Sequence, residues 1–293
     1  MITVSLVTYN TPDKELKQCL ESLRSPLVVR IFVVDNSSSS HTEQLCRNYE
    51  KIEYIPNTNT GYGSAHNIAI RKAFETGAEY HLILNTDVYF NPDILGTLTD
   101  YLDKNPDVGQ VQPKLYYPNG SLQYSVRMLP SPFDVFARRF IPSSLVEHRT
   151  RRYILSDLDH SVIQNVPFHQ GSFMLIRTDV LKEIGLFDER FFLYTEDIDL
   201  TRRIHARYKT IYYPYVTAVH HHRQESYKNF RLMLVHSRNM IRYFNKWGWF
   251  FDKQRKEWNA RLDALIKKSK YEKRCCVKIG AAKPYTGLCG YSM

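Results

Sequence analysis

The sequence predicts an α/β protein: a mixed, mainly parallel sheet flanked by helices, followed by a helical, basic extension. Three observations predict it. Strand and helix patterns alternate as βαβαβαβα through the first hundred residues, the signature of a parallel sheet covered on both faces. After Asn105 that alternation gives way to hairpin-like and mixed patterns. Residues 246–293 hold 12 of the 40 Lys and Arg but only 4 of the 30 Asp and Glu, leaving 28 against 26 before them. The expected division is therefore a folded unit over 1–245 and a basic aromatic extension over 246–293.

The elements follow in order. Residues 3–8 form a short β-rich run that stops at Tyr9-Asn10-Thr11-Pro12. Leu16, Cys19, Leu20 and Leu23 recur at helical spacing. Residues 28–34 read as a buried strand ending at Asp35-Asn36, and Leu45, Cys46 and Tyr49 share one face of the next helix. A strand over 52–55, a helix over 61–76 and a strand over 81–84 lead to Asn85-Thr86-Asp87. Pro92 opens a helix carrying Ile94, Leu95, Leu98 and Leu102. Strands over 110–117 and 121–128 flank the turn signal Pro118-Asn119-Gly120. Residues 130–165 read as a mobile or partner-facing loop. Beyond it come a strand over 168–177, a short helix from Thr178 to Gly185, a helix over 196–208, a strand over 211–213 and a helix over 227–245.

Composition narrows the function. With 43% hydrophobic residues the chain can build a full core, which excludes wholesale disorder. A nearly neutral 1–245 argues against a nucleic-acid partner. No apolar run approaches the length of a membrane span, and no secretory signal is visible. The five cysteines form neither a disulfide framework nor a paired zinc motif, so a reducing, cytoplasmic setting is the simpler expectation.

In open α/β sheets ligands bind where strands end. Four strand ends here carry polar clusters: Thr8-Tyr9-Asn10, Asp35-Asn36, Asn57-Thr58-Asn59 and Asn85-Thr86-Asp87. Any one is ordinary turn chemistry; four along one edge point to a site. Asp35 can accept hydrogen bonds from a nucleobase imide or a ribose hydroxyl. Asn59-Thr60-Gly61-Tyr62-Gly63 leads into a helix, where glycine permits close backbone approach and a helix N-terminus favours an anion. It is not a dinucleotide fingerprint, because His66 stands where the third glycine would be. Asp87 can anchor a hard cation such as Mg²⁺ or Mn²⁺ if phosphates complete the shell, with His220 of His220-His221-His222 as a second ligand. Glu196-Asp197-Ile198-Asp199 follows an aromatic run, and carboxylates beside apolar surface are candidates for a general base.

In the order and spacing of these motifs the chain resembles a family 2 glycosyltransferase of the GT-A fold, in the bacterial polysaccharide and rhamnosyltransferase-like branch. The resemblance covers about residues 3–245. It rests on Val7-Thr8-Tyr9-Asn10, Val33-Val34-Asp35-Asn36-Ser37, Asn59-Thr60-Gly61-Tyr62-Gly63 with Asn67, and Leu84-Asn85-Thr86-Asp87-Val88. Further on come Gly171-Ser172-Phe173-Met174, Gly185-Leu186-Phe187-Asp188-Glu189, and Glu196-Asp197-Ile198-Asp199-Leu200 with Arg203, Pro214 and His220.

The resemblance implies that Thr8, Tyr9, Asp35 and Asn59 cradle the nucleotide, with Asp35 on the base. Asn10, Asn36, Gly61, Asn67, Asn85 and Gly171 complete the nucleotide-sugar site. Asn85-Thr86-Asp87 stands at the family's Asp-X-Asp motif, so Asp87 holds Mg²⁺ or Mn²⁺, His220 assists, and Asn85 replaces the first carboxylate. Asp197 matches the catalytic base, with Glu196 its nearest rival. The implied reaction is an inverting transfer from a nucleotide-diphosphate sugar to a glycan or lipid-linked glycan acceptor.

Two other readings compete. A sugar nucleotidyltransferase would carry a Gly-rich triphosphate loop after the first strand, where Thr8-Tyr9-Asn10-Thr11-Pro12 stands instead. A non-enzymatic module binding RNA or anionic lipid leaves Asp35, Asp87 and Asp197 unexplained. In the extension Trp258, Leu262, Leu265 and Ile266 share a helical face beside many Lys and Arg. That pattern fits either a helix on the anionic inner face of the cytoplasmic membrane or one packed on the domain.

Overall fold

A computed structural model describes residues 1–137, 141, 143–221 and 230–278 of the chain. Its parallel half is built as the alternation predicts: strands β1 (Ile2–Thr8), β2 (Val28–Asp35), β3 (Ile52–Pro56) and β4 (Tyr80–Leu84) lie in the order β3-β2-β1-β4. The sheet continues through β5 (Val88–Phe90), β6 (Val108–Tyr116), β11 (Phe173–Arg177) and β12 (Lys209–His220), ordered β4-β11-β6-β12-β5. The remaining strands, β7 (Leu122–Gln123), β8 (Val126–Arg127), β9 (Gln164–Asn165) and β10 (Phe168–His169), are two residues each. β11 runs antiparallel to β4 and β6, whereas β6 and β12 are parallel.

Side-chain alternation sorts the core into layers. Ile2, Val4, Leu6, Ile31 and Val33 face the helices Asp13–Ser22, Ser40–Cys46 and Ile94–Lys104. Phe32 and Val34 face Ala65, Ala69 and Ala73 of the helix Tyr62–Glu75. On the same side Ile83, Met174 and Ile176 pack against the helices Thr178–Ile184 and Glu196–His205.

Four expectations change. The strands expected over 121–128 and 168–177 are each split, because the chain passes from the main sheet into a two-stranded ribbon. β7 pairs with β6, whereas β8 pairs with β10, and β11 then rejoins the main sheet. The Pro118-Asn119-Gly120 turn forms as expected, with Tyr117 N donating to Ser121 O at 2.9 Å.

Residues 130–165 are not a featureless loop. They contain a π-type turn at Phe133–Ala137 and a helix at Ser143–Tyr153, and they bury Val146, Tyr153, Leu155 and Leu158. The strand expected over 211–213 extends to His220. Pro214 looks like a terminator in sequence, but it falls where the β12–β6 register shifts between Tyr213 and Thr217, so no ladder bond is lost to it. The helix expected over 227–245 is described as Phe230–Trp247; its expected start lies outside the described residues.

The extension packs on the domain. The boundary expected after 245 falls inside the helix Phe230–Trp247, and a tight turn at Gly248 leads into the helix Lys253–Lys278. Trp258, Leu262 and Ile266 join a core with Met128, Leu129, Tyr153, Met240, Tyr243 and Phe244. Asn259 exchanges two hydrogen bonds with the Leu129 backbone, at 3.0 and 2.9 Å. Asp252 forms a bidentate ion pair with buried Arg202, at 2.6 and 2.8 Å. Among the described residues no helix is long and apolar enough to cross a membrane.

Candidate active site

Parallel strands end together at one edge, and register decides which side chains meet there. Thr8 lies opposite Asp35, and Thr8 Oγ1 donates to Asp35 Oδ1 at 2.9 Å. Asp35 also accepts from Ser37 N and Oγ, from Ser39 N at 2.7 Å and from Tyr54 OH at 3.0 Å. Burial pushes its carboxyl upward, but these donors outweigh burial and hold it below the usual aspartate range. Asp35 therefore organises the loop after β2 as an ionised acceptor.

Beside it, Asn36 Nδ2 donates to Asn59 Oδ1 at 3.3 Å, and Asn57 donates to Asn36 Oδ1 at 2.7 Å. Tyr9 and Asn10 are exposed on the loop after β1. The four polar clusters thus do line one edge, as their sequence positions predict.

Gly61 has φ of +108°, and a Cβ there would stand 2.5 Å from the Phe192 carbonyl oxygen. Glycine is required for this close approach. Tyr62 N donates to Phe192 O at 2.9 Å, and Gly61 N to Asn59 Oδ1 at 3.3 Å, so these two N–H groups are engaged within the protein. Asn67 is buried; it donates to Phe187 O and Glu189 Oε1, both at 2.9 Å, and accepts from Phe187 N at 3.0 Å. Its amide ties the helix Tyr62–Glu75 to the segment before the acidic helix.

Two antiparallel pairings close the site. His220 pairs with Val88, so its Nε2 reaches Asp87 Oδ1 at 3.2 Å across 133 residues of sequence. His221 N donates to Asp87 O at 3.1 Å; His222 lies outside the described residues. Phe173 pairs with Leu84, so Asn85 N donates to Ser172 O at 3.0 Å and Gly171 sits beside Asn85. Tyr62 OH then donates toward both Asn85 Oδ1 (2.7 Å) and Gly171 O (3.0 Å).

Gly171 N in turn donates to Asp197 Oδ2 at 2.9 Å, and Ile198 N to Asp197 Oδ1 at 2.8 Å. A Cβ at Gly171 would stand 3.1 Å from Asp197 Cβ, so the missing side chain is what lets these segments touch.

The two neighbouring acids differ. Asp197 is partly open, whereas Glu196 is 4% exposed and sits against Gly63, with Oε2 lacking a hydrogen-bond partner among the described residues. Burial first, and the Asp197 charge second, drive the Glu196 carboxyl well above its usual range. Burial also raises Asp197, opposed by the Gly171 and Ile198 N–H groups and by Arg127. Tyr194 and Thr195 precede this helix at φ of 66° and 87°, a left-handed pair that non-glycine residues rarely adopt. The helix Phe230–Trp247 braces them: Asn239 donates to Leu193 O at 2.9 Å, and His236 meets the Tyr194 ring edge-on.

The site therefore has a polar edge of strand-end side chains, an Asp87–His220 pair and a partly open, raised carboxylate. Asp87 and His220 can serve as two ligands of a hard cation whose remaining positions take phosphate oxygens. No cluster of three or more His, Cys, Asp or Glu with ligating geometry occurs among the described residues.

Sequence reasoning missed Tyr62, Arg127 and Gln123. Tyr62 lay inside a quoted motif but carries its role only through contacts from distant segments. Gln123 and Arg127 sit on two-residue strands with no motif to mark them.

The Glycosyl transferase family 2 model matches residues 3–185. The chain is 29% identical over 238 residues to the N-acetylglucosaminyl-diphospho-decaprenol L-rhamnosyltransferase of Mycobacterium tuberculosis, covering 75% of this chain and 76% of that protein. It is 29% identical over 254 residues to rhamnosyltransferase WbbL of Escherichia coli K12, covering 83% and 92%. Among solved structures, the mannosyltransferase PcManGT from Pyrobaculum calidifontis, in complex with GDP-Man and Mn²⁺, matches with a TM-score of 0.54 at 19% identity. That match covers 82% of this chain and 64% of that structure, a likeness of fold.

Proposed function

The chain belongs to glycosyl transferase family 2 and has the GT-A fold; on that premise we propose how this glycosyltransferase works. It moves a sugar from a UDP- or dTDP-sugar to a hydroxyl of a cell-surface polysaccharide or lipid-linked glycan, inverting the anomeric centre. The observation that carries the reading is the Tyr62 bridge: one hydroxyl joins the segment bearing Asp87 to the segment whose Gly171 N–H holds Asp197.

Thr8, Tyr9, Asn10, Asp35, Asn36 and Asn59 form the nucleotide edge. Asp35 acts chiefly by fixing the loop, because its oxygens already serve five protein donors. Asp87 and His220 hold Mg²⁺ or Mn²⁺, which neutralises charge on the leaving diphosphate when bound. The carboxylate of Asp197 takes the proton from the acceptor hydroxyl as that oxygen attacks the face opposite the nucleotide. Its raised pKa strengthens it as a base, and the Gly171 and Ile198 N–H groups fix its orientation. Glu196, buried beside Gly63, is assigned no contact with substrate.

Rhamnosyltransferase relatives of this length, one named for a lipid-diphosphate sugar acceptor, support an acceptor of the lipid-linked class. Such an acceptor places the enzyme at the inner face of the cytoplasmic membrane, with the basic extension toward anionic lipid.

The test is transfer from a panel of UDP- and dTDP-sugars with Mn²⁺, for wild type and Asp197→Asn. The variant is expected to lose about a hundred- to ten-thousand-fold in kcat while binding donor as wild type does. Near-normal transfer by Asp197→Asn removes the assignment.

A further inference from the structure

We propose that Gln123 is a positioning residue for the cation end of the cleft, its side-chain amide meeting His220 Nδ1 as donor or acceptor so that Nε2 can turn a lone pair toward a cation held with Asp87. The proposal rests on the reading of Asp87 and His220 as the metal pair. Gln123 is buried on β7, where it pairs with Leu115 of β6. Its Nε2 stands 3.0 Å and its Oε1 3.1 Å from His220 Nδ1. The opposite ring nitrogen, Nε2, is the one 3.2 Å from Asp87 Oδ1.

A neutral imidazole carries its proton on one nitrogen, and a ligating nitrogen must carry none. With no cation present, Nε2–H can donate to Asp87 while Nδ1 accepts from the Gln123 amide N–H. With a cation on Nε2, the proton must sit on Nδ1, and Nδ1–H then needs an acceptor. Gln123 Oε1 is that acceptor. An amide offers both a donor and an acceptor, and both ends lie in reach of Nδ1, so glutamine can satisfy either tautomer without leaving its buried place.

The Gln123 NH2 carries two hydrogens, and Nε2 also donates to Gln170 Oε1 at 3.5 Å. Gln170 is held by Gln112, donating to its carbonyl at 2.8 Å, and it directly precedes Gly171, whose N–H orients Asp197. Gln123 thus links the cation end to the segment that positions the base.

The experiment measures Mn²⁺ binding by electron paramagnetic resonance in the presence of UDP or dTDP, without turnover. Wild type, Gln123→Met, Gln123→Glu and Asp87→Asn are compared, each with a melting curve. Gln123→Met, similar in size but with only a weak sulfur acceptor, is expected to weaken Mn²⁺ about ten- to a hundred-fold. Gln123→Glu keeps an acceptor toward Nδ1 and is expected to bind within a few-fold of wild type. Equal Mn²⁺ affinity in folded Gln123→Met and wild type overturns the proposal. So does equal weakening by Met and Glu, the signature of a packing role. If Asp87→Asn also binds as wild type does, the metal reading itself fails, and this proposal fails with it.

Discussion

At the residue scale the site is governed by how each carboxylate is housed. Burial pushes the carboxyls of Asp35, Glu196 and Asp197 upward, yet Asp35 falls below the usual range while the other two rise above theirs. Five donors surround Asp35; Glu196 has an oxygen with no hydrogen-bond partner among the described residues, and a charged neighbour. Stability should therefore respond to pH in opposite ways at the two ends of the site. For Glu196, the folded state keeps a proton that the unfolded chain releases above about pH 4.3, so wild type loses stability as pH rises from there through the raised pKa. Glutamine suffers no such loss. The melting temperature of Glu196→Gln should exceed that of wild type by a margin that grows as pH rises above about 4.3. A margin that stays flat as pH rises means the acid is not held protonated. Sequence marked both acids, and the resemblance put Asp197 first, but neither showed how each is housed. Glu196 sits against Gly63 and is 4% exposed, whereas Asp197 beside Gly171 stays partly open.

At the element scale, close approach of backbones decides the geometry. Two glycines illustrate different demands. Gly61 needs both a positive φ and the absence of a Cβ, whereas Gly171 needs only the absence of a Cβ against Asp197. Gly171→Ala should leave the melting temperature nearly unchanged but displace Asp197 by a few tenths of an ångström, lowering kcat about tenfold. Gly61→Ala should lower both. A normal kcat in Gly171→Ala would show that Asp197 does not depend on this contact. Most elements of the parallel half were legible in sequence, because each buried strand and amphipathic helix satisfies its own periodicity. Strands 121–128 and 168–177 were not, because a strand that changes partner sheet midway keeps its β pattern throughout. The strand over 211–213 runs on past Pro214 because the register shift takes that proline out of the ladder.

At the scale of the whole molecule, we propose that the extension holds the acidic helix in place. Arg202 on that helix is 1% exposed, stacks on Trp247 at 4.0 Å and pairs with Asp252 beyond the expected boundary. Asp199 on the same helix accepts from Trp247 Nε1 at 2.8 Å and pairs with Lys246 at 2.7 Å. Asp252→Ala strands a buried guanidinium and should cost about 3–5 kcal/mol in chemical denaturation. An unchanged midpoint would return the segment to the status of an appendage. The packing of Trp258, Leu262 and Ile266 takes that face away from any membrane and leaves Phe250 and Phe251, 80% and 98% exposed in the turn between two helices, as the apolar points beside the basic surface. Flotation on anionic liposomes at low salt should therefore fall in a Phe250→Ser, Phe251→Ser double variant of the whole chain. Equal flotation of that variant and wild type would discard a membrane role for the turn.

The sequence by itself determined the family, the parallel half of the sheet and the polar residues at its carboxyl edge, because local periodicity and turn chemistry act over a few residues. It also located the excess charge after residue 245. Only the tertiary structure decided what that charged segment does with its apolar face, which of two adjacent acids is open, and that Gln123, His220 and Asp87 form one chain of contacts. Those outcomes depend on register between strands far apart in sequence and on burial by segments that share no pattern with the residues they cover.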